Sequence, residues 1–168
     1  MIKLEEIEPG YRMNLFKASL FHLLHKEISD FFSFFDRLKL MLRACYGYYI
    51  YYVLDGTELC AYTFLKRNYL NRYRFMEGEH LLINPYYVKA DYRGKGIATQ
   101  MLRRVISSLP SECSRVWAVV EDNNYASICV LKKIGFSHVG FSIKDGWSHK
   151  LSHSVSQLLI FTYSCNEK

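Results

Sequence analysis

The chain has 168 residues, half of them apolar, which is enough for one well-filled core and too few for two ordinary domains. Twenty-two Lys and Arg residues against 16 Asp and Glu give a formal charge of +6, which favours anionic ligands and does not by itself indicate nucleic acid. We therefore expect a single domain over residues 1–168.

The cysteines and the amino-terminal residues indicate the cellular compartment in which we expect the protein. The five cysteines are widely spaced and include no C-x-x-C pair, so they predict neither a disulfide framework nor a zinc site. Residues 1–6 lack the basic segment and apolar core of a secretory signal, and no apolar run approaches the roughly 20 residues that a membrane-spanning helix needs. We expect a soluble protein in a reducing cytoplasm, without a membrane partner.

The first part of the chain predicts a short strand and two helices. Residues 2–7 suit an edge strand, which Pro9-Gly10 ends. Apolar residues recur at helical spacing over 11–28 and again over 31–44, which predicts a pair of helices. The aromatic residues of the second helix either fill a gap between the helices and a sheet or line an acceptor pocket. They are Phe31, Phe32, Phe34 and Phe35.

A β-hairpin follows the two helices. Residues 48–54 and 58–65 are aromatic and β-branched, and Asp55-Gly56 between them is a strong turn signal. Residues 66–75 then mix cations with aromatic side chains and have no clear period. Such a segment either binds nucleotides or sugars by stacking and ion pairing, or is a solvated loop.

The second half alternates strands and helices. Residues 80–88 predict a buried strand that Asn84-Pro85 interrupts, because a proline inside a strand implies a bulge or an unpaired position. Residues 98–109 predict an amphipathic helix. The remaining elements are a strand at 115–120, a helix at 125–134 that Gly135 ends, and strands at 136–143 and 157–163 with a polar segment between them. The predicted order is β-α-α-β-β-β-α-β-α-β-β, which indicates an α/β fold with a mixed sheet.

The stretch from Tyr92 to Thr99 stands between a predicted strand and a predicted helix. Its sequence Arg93-Gly94-Lys95-Gly96 combines two glycines with two cations at the point where the chain turns. Backbone N–H groups converge at such a turn, and the positive end of the helix dipole adds to their attraction for an anion. The stretch therefore predicts a diphosphate-binding turn.

Two motifs in this half of the chain resemble those of the GNAT superfamily, the acyl-coenzyme A-dependent N-acetyltransferases. Arg93-Gly94-Lys95-Gly96-Ile97-Ala98 matches the signature Arg/Gln-x-x-Gly-x-Gly/Ala, and Val88-x-x-Asp91-Tyr92 resembles the end of the family's fourth strand. Downstream, Asn124-x-x-Ser127-x-x-x-Leu131-x-Lys133-x-Gly135-Phe136 resembles the second motif. Two spaced motifs in the right order are a specific signal.

The resemblance implies a GNAT-like fold, with a mostly antiparallel central sheet that splays at the fourth strand and is flanked by helices. It implies acetyl-coenzyme A as co-substrate, with the diphosphate on the amides of the glycine-rich turn and the pantetheine arm along the splayed strand. The residues that the resemblance assigns to the cofactor are Tyr86, Tyr87, Val88, Arg93, Gly94, Lys95, Gly96, Ile97, Ala98, Thr99, Asn124 and Ser127.

The chain departs from the family pattern at two catalytic positions. Leu131 stands where many members have a tyrosine that protonates the thiolate, and Leu82 stands where some have a glutamate base. Strand alternation places His80 and Asn84 on the same face as Leu82, so we expect His80 to act as base, through a water held by Asn84. A hydrogen-bonded structural histidine is the alternative.

Other candidates for the acid and the base are less specific. Tyr86, Tyr87 and Tyr125 are candidate acids, and Glu79 and Glu121 are alternative bases. The expelled thiolate also accepts a proton from solvent or from the product ammonium, because alignment of amine and thioester supplies much of the rate.

Two histidine pairs are the candidate metal ligands in the sequence. His22/His25 and His149/His153 have helix-like spacing, but no carboxylate or thiol pattern accompanies them, so we expect no metal.

The expected reaction is transfer of an acetyl group from acetyl-coenzyme A to a primary amine of a small molecule, such as an amino sugar or another acidic metabolite. The alternatives are a non-catalytic acyl-coenzyme A sensor and an acetyltransferase that acts on a protein or peptide amine. Scattered basic residues without a binding motif argue against a nucleic-acid partner. The sequence leaves open the acceptor, the acyl chain length, and the choice between monomer and homodimer.

Overall fold

The computed structural model describes residues 2–7, 13–17, 33–45, 48–68 and 72–165. The elements are β1 Ile2–Ile7, β2 Met13–Lys17, α1 Phe34–Cys45, β3 Tyr49–Asp55, β4 Glu58–Lys66, β5 Leu81–Val88, α2 Ile97–Ser107, β6 Arg115–Glu121, α3 Tyr125–Lys133, β7 Ser137–Asp145, β8 Ser148–Ser152 and β9 Leu158–Ser164. A 3₁₀ helix, Ala90–Tyr92, lies between β5 and α2. The chain divides into two compact units, Met1–Leu65 with Pro85–Ser108 and Lys66–Asn84 with Leu109–Lys168.

The first unit is built on a meander of antiparallel strands. Strands β1 to β4 are neighbours in chain order, and β4 lies next to the part of β5 from Pro85 to Val88. The predicted hairpin joins β3 to β4 through Asp55-Gly56, with Gly56 at φ 60°. Residues 50–54 of β3 are buried on both faces. Helix α2 buries its apolar face in the same unit, including Met101, Leu102 and Val105.

The second unit contains the other strands in the spatial order β5-β6-β9-β7-β8. The part of β5 from Leu81 to Ile83 pairs in parallel with Val116–Ala118 of β6, and Asn84-Pro85 follows directly after this ladder. The pairs β6–β9, β7–β9 and β7–β8 are antiparallel. The predicted class, an α/β fold with a mixed and mostly antiparallel sheet, is confirmed.

The prediction of a first helix over 11–28 is wrong at its start. Met13–Lys17 is the strand β2, which pairs with β1 on one side and with Tyr51–Asp55 of β3 on the other. A five-residue segment with three apolar side chains fits a helical and an extended pattern equally well, and backbone hydrogen bonds to two flanking strands favour the extended one. The rest of the predicted helix lies outside the described residues.

The polar segment between the last two predicted strands contains the additional strand β8. Its residues pair with Phe141–Asp145 of β7 across a tight turn, in which Gly146 has φ 61°. Ser148 is buried and His149 is half-buried, although both are polar, and they form hydrogen bonds with the Asp145 carbonyl and the Ser142 hydroxyl, respectively. A strand with this composition has no hydrophobic alternation, so no local pattern predicts it.

Helix α1 begins later than the predicted second helix. Ser33 caps it, since the Ser33 hydroxyl accepts a hydrogen bond from the Asp36 N–H. Phe34 and Phe35 at its start are 64% and 71% exposed, so these two rings do not fill a core among the described residues. Phe31 and Phe32 lie outside the described residues.

Gly140 follows directly after the point where β7 changes register against β9, and its backbone lies against the end of β8. Its φ is 148°, and an added Cβ would lie 2.8 Å from the backbone oxygen of Ser152. We expect Gly140→Ala to lower the free energy of unfolding by about 1–3 kcal/mol, because the neighbouring backbone must move. Urea denaturation measures the change, with the exposed Ser137→Ala on the same strand as control. A loss below about 0.5 kcal/mol, typical of a surface change, would contradict the expectation.

Candidate coenzyme A site and active-site residues

The glycine turn, Arg93–Gly96, connects the 3₁₀ helix to α2 in the first unit. Gly94 and Gly96 have φ of 76° and 77°, which is the left-handed region that other residues enter at a cost of about 1–2 kcal/mol. A Cβ on Gly94 would meet no protein atom within 4 Å. Glycine is therefore required by the backbone conformation, and the space beside Gly94 is open to a ligand.

The first turn of α2 presents its backbone N–H groups at this point. Gln100 N–H donates to the Gly96 carbonyl at 3.1 Å, which is the first hydrogen bond of the helix. Ile97, Ala98 and Thr99 precede it, and N–H groups at these positions have no intrahelical acceptor. Together with the positive end of the helix dipole, they form a site for an anion such as a diphosphate.

The two cations of the glycine turn are exposed and lie against aromatic rings. The Arg93 guanidinium is 5.7 Å from the centre of the Tyr87 ring, and its Nε donates to the Val88 carbonyl at 3.1 Å. The Lys95 ammonium is 5.2 Å from the centre of the Tyr92 ring. These contacts hold both charges close to the turn, because a cation is attracted to the face of an aromatic ring.

Tyr92 attaches the glycine turn to the β3–β4 hairpin. The single proton of its hydroxyl is shared between Asp55 Oδ2 at 3.2 Å and Glu58 Oε2 at 3.1 Å. Glu58 also forms an ion pair with Lys89, whose backbone N–H donates to the Cys60 carbonyl at 2.8 Å. The hydrogen bonds from Lys89 and Tyr92 lower the pKa of Glu58, and loss of hydration followed by the Glu58 contact raises the pKa of Tyr92.

The expected pantetheine strand, Tyr86–Val88, is half-buried in the first unit. The Tyr87 ring stacks on Tyr62 of β4, with ring centres 5.5 Å apart. The Thr63 hydroxyl donates to the Pro85 carbonyl at 3.4 Å. These contacts fix the backbone of the strand just before the glycine turn.

The second motif forms the start and end of α3. Asn124 is the N-cap, with its Oδ1 accepting from the Ser127 N–H at 3.2 Å, and Gly135 follows the helix with φ 97°. Leu131 is completely buried, whereas Tyr125 is 74% exposed. The observed role of Asn124 and Ser127 is therefore helix capping, and the aliphatic residue at the tyrosine position belongs to the core.

His80 has a hydrogen-bonded ring in the second unit. Its Nδ1 accepts from the Glu77 N–H at 2.9 Å and from Trp117 Nε1 at 3.2 Å. This arrangement assigns the proton of the neutral ring to Nε2, so the one lone pair that a base would use is engaged by two donors. Burial, and then the Arg115 charge, lower the pKa of His80. The contacts favour the structural alternative, and the role as base stays a prediction.

The remaining candidates for the base lie in different surroundings. Leu82 is completely buried and stands opposite Trp117 in the β5–β6 ladder. Glu79 is paired with Arg67 at 2.7 Å, and Glu121 is exposed at the end of β6. Asn84 is part of β5, and its side chain lies outside what the structure describes.

The described part of the chain contains no group of three or more His, Cys, Asp or Glu residues placed to hold a metal ion. His149 Nδ1 lies 3.0 Å from the Ser142 hydroxyl, and the ring stacks on Tyr73. His22 and His25 lie outside the described residues. In the described ranges, no helix is long and apolar enough to cross a membrane.

The sequence model of the Acetyltransferase (GNAT) family matches residues 13–136, which is more than half of the chain. The chain belongs to the GNAT family of acetyltransferases. The prediction of an acyl-coenzyme A-dependent N-acetyltransferase is confirmed at the level of this family. No curated protein matches the sequence.

Solved GNAT structures share the fold at low sequence identity. An acetyltransferase from Thermus thermophilus has a TM-score of 0.61 and 17% identity, over 97% of this chain and 99% of that one. A ribosomal-protein-S5-alanine acetyltransferase from Vibrio fischeri has a TM-score of 0.66 and 14% identity, over 97% and 98%. A spermidine N-acetyltransferase from Vibrio cholerae, in complex with CoA and spermine, has a TM-score of 0.63 and 12% identity, over 92% and 96%.

The attachment of the glycine turn through Tyr92 has no signal in the sequence. Asp55 and Glu58 precede Tyr92 by 37 and 34 positions, so no local pattern connects them.

The segment 66–75, for which the sequence allows two interpretations, has internal contacts in the structure. Asn68 bonds to both the N–H and the carbonyl of Tyr73, at 3.0 and 2.7 Å.

The pKa of His80 gives a testable pH dependence of stability. The pKa of His80 in the folded protein lies below the usual value of about 6.5. The stabilisation that its neutral ring contributes is therefore fully present above about pH 6.5 and is lost as the pH falls through the folded pKa. His80→Asn keeps an acceptor near the Nδ1 position and does not titrate. Between pH 7.5 and 5, we expect a smaller decrease in the free energy of unfolding for this variant than for the wild type, measured by urea denaturation.

A second histidine, His149, provides a reference for this measurement. His149 also has a lowered pKa, caused by burial and by Arg72, and it remains in the variant. Some pH dependence should therefore persist in His80→Asn. Equal decreases in the two proteins would show that protonation of His80 is not coupled to folding.

Proposed function

We propose that the protein transfers the acetyl group of acetyl-coenzyme A to the primary amine of a small acidic molecule, by direct attack in a ternary complex. The observation that carries the donor half of this proposal is the left-handed glycine turn at the start of α2. The acceptor half rests on the net charge of +6, which favours an acidic acceptor over a polycation.

In this proposal the amides of Gly94–Thr99 hold the diphosphate, and Arg93 and Lys95 add positive charge. The backbone of Tyr86–Val88 pairs with the pantetheine arm, as the family resemblance implies. Asn124 and Ser127 contribute by capping α3 and so by fixing the start of that helix. Coenzyme A itself supplies the thioester, and the protein supplies its orientation.

The reaction requires a neutral amine. The amine nitrogen attacks the thioester carbonyl carbon and becomes positively charged. The carbon–sulfur bond then breaks, the nitrogen loses a proton to water, and the departing thiolate takes up a proton from solvent. His80, with its lone pair engaged at Nδ1, supports this solvent route over removal of the proton by its ring. Alignment of amine and thioester then supplies most of the acceleration. His80→Asn therefore retains the pH profile of kcat in this mechanism.

A non-catalytic sensor of acyl-coenzyme A is the second candidate. The observation in its favour is that Leu82 and Leu131, at two catalytic positions of the family, are aliphatic and completely buried. A protein or peptide amine is a third candidate acceptor, since three structural neighbours are named as acetyltransferases of ribosomal proteins.

Turnover on an amine panel tests the proposed function. Coenzyme A thiol release is measured with small acidic amines, neutral amines, polyamines and peptides with free amino termini. We expect release with an acidic small amine, and intersecting lines when both substrate concentrations are varied. Calorimetry with acetyl-coenzyme A runs in parallel, because tight binding without turnover on any amine would favour the sensor.

Gly94→Ala tests the donor site. Alanine at φ 76° is strained, and relief of that strain turns the amides away from the diphosphate. We expect KM for acetyl-coenzyme A to rise about tenfold or more, which corresponds to about 1.4 kcal/mol. The control is Gly146→Ala, which has φ 61° and likewise no atom within 4 Å of an added Cβ. An equal KM in the two variants would remove the glycine turn from the donor site.

A further inference from the structure

A depression of about 540 Å³ lies within the second unit and has no place in the donor site described above. We name it the basic depression. Its lining includes Arg74, Phe75, Glu77, Arg115, Trp117 and Lys150. They come from the segment before β5, from the start of β6 and from β8.

The charges around the basic depression are unequal. Three cations surround it against the single carboxylate of Glu77. Arg74 and Lys150 share Asp145, at 3.0 and 3.7 Å, and this carboxylate offsets part of their charge. Arg115 has no carboxylate partner within the described part of the chain, so its five N–H donors are available to an oxyanion.

The floor of the basic depression is aromatic and fixed. The Phe75 and Trp117 rings have centres 5.0 Å apart, and the Arg115 guanidinium lies 5.7 Å from the centre of the Trp117 ring. The hydrogen bond from Trp117 Nε1 to His80 holds the indole in one orientation. A guanidinium over a fixed ring is pre-organised for a planar oxyanion such as a carboxylate, since little side-chain entropy is lost on binding.

The register of β5 and β6 connects this depression with the proposed chemistry. Trp117 stands opposite Leu82, the residue at the family's base position, and the two side chains belong to one apolar cluster. His80 contacts the same indole from the position two residues before Leu82. The basic depression therefore borders the face of the sheet on which Leu82 lies.

We propose that the basic depression binds the acidic group of the amine acceptor, a carboxylate or a phosphate, through Arg115. Arg74 and Lys150 add a positive potential, and Phe75 and Trp117 contact an apolar part of the same molecule. This inference rests on the proposed function and names the chemistry of its acceptor. A polyamine does not fit, because three cations repel it.

Matched amine pairs test the proposal. Phenethylamine with phenylalanine isolates a carboxylate, and glucosamine with glucosamine 6-phosphate isolates a phosphate. We expect the wild type to favour the acidic member of one pair in kcat/KM by about tenfold or more, and Arg115→Gln to remove that preference. Comparison of the preference between proteins cancels the intrinsic difference in amine pKa within a pair.

Arg72→Gln is the matched control, because it removes the same charge from an exposed arginine of the second unit that does not line the depression. The proposal requires that this variant keeps the preference for the acidic member. KM for acetyl-coenzyme A should stay unchanged in both variants. An equal loss in the two variants would overturn the proposal while the proposed function stands. Absence of a preference in both pairs would overturn the proposal together with the acidic acceptor of the proposed function.

Fluorescence separates a failure of this inference from a failure of the proposed function. Trp117 and Trp147 are the two tryptophans of the chain, and Trp147 is 61% exposed, so Trp147→Phe leaves Trp117 as the reporter. This variant is titrated with phenylalanine and with inorganic phosphate, whether or not any amine is turned over. A saturable change that Arg115→Gln abolishes supports the site. A signal that does not saturate overturns it.

Discussion

The left-handed backbone at Gly94 and Gly96 is the constraint on which the donor site depends. Two positive φ angles separated by one residue turn the chain from β5 into α2 and leave the first N–H groups of the helix without intrahelical acceptors. Such a turn contributes little stability of its own. It needs support on the side away from the ligand, and Tyr92 gives that support through Asp55 and Glu58.

This arrangement explains why the β3–β4 hairpin matters to a site formed elsewhere in the sequence. Glu58 accepts hydrogen bonds from both Tyr92 and Lys89, which lie at the two ends of the 3₁₀ helix. The carboxylate therefore holds both ends of the segment that leads into the glycine turn. Because the pKa of Glu58 lies below the ordinary value of 4.5, this carboxylate is charged at neutral pH and remains charged further into the acid range.

How far the sequence predicts the structure depends on how local each signal is. The hairpin at Asp55-Gly56, the glycine turn and the start of α3 at Asn124 are predictable because each is specified by a few adjacent residues. The strands β2 and β8 are not, because their pairing partners decide their conformation. The contact between His80 and Trp117 joins positions 37 apart, and only the fold brings them together.

The same distinction separates the donor from the acceptor. The donor is common to the family, and a short motif with a fixed backbone is sufficient to predict it. In our proposal the acceptor is recognised by side chains from different elements, namely Arg115 at the start of β6 and Lys150 on β8. The diphosphate and the acidic acceptor contact different cations. A substitution at the glycine turn therefore changes the affinity for coenzyme A, and a substitution in the basic depression changes the affinity for the acceptor, without a direct effect on the other ligand. Acceptor choice in this chain can therefore diverge while the glycine turn stays the same.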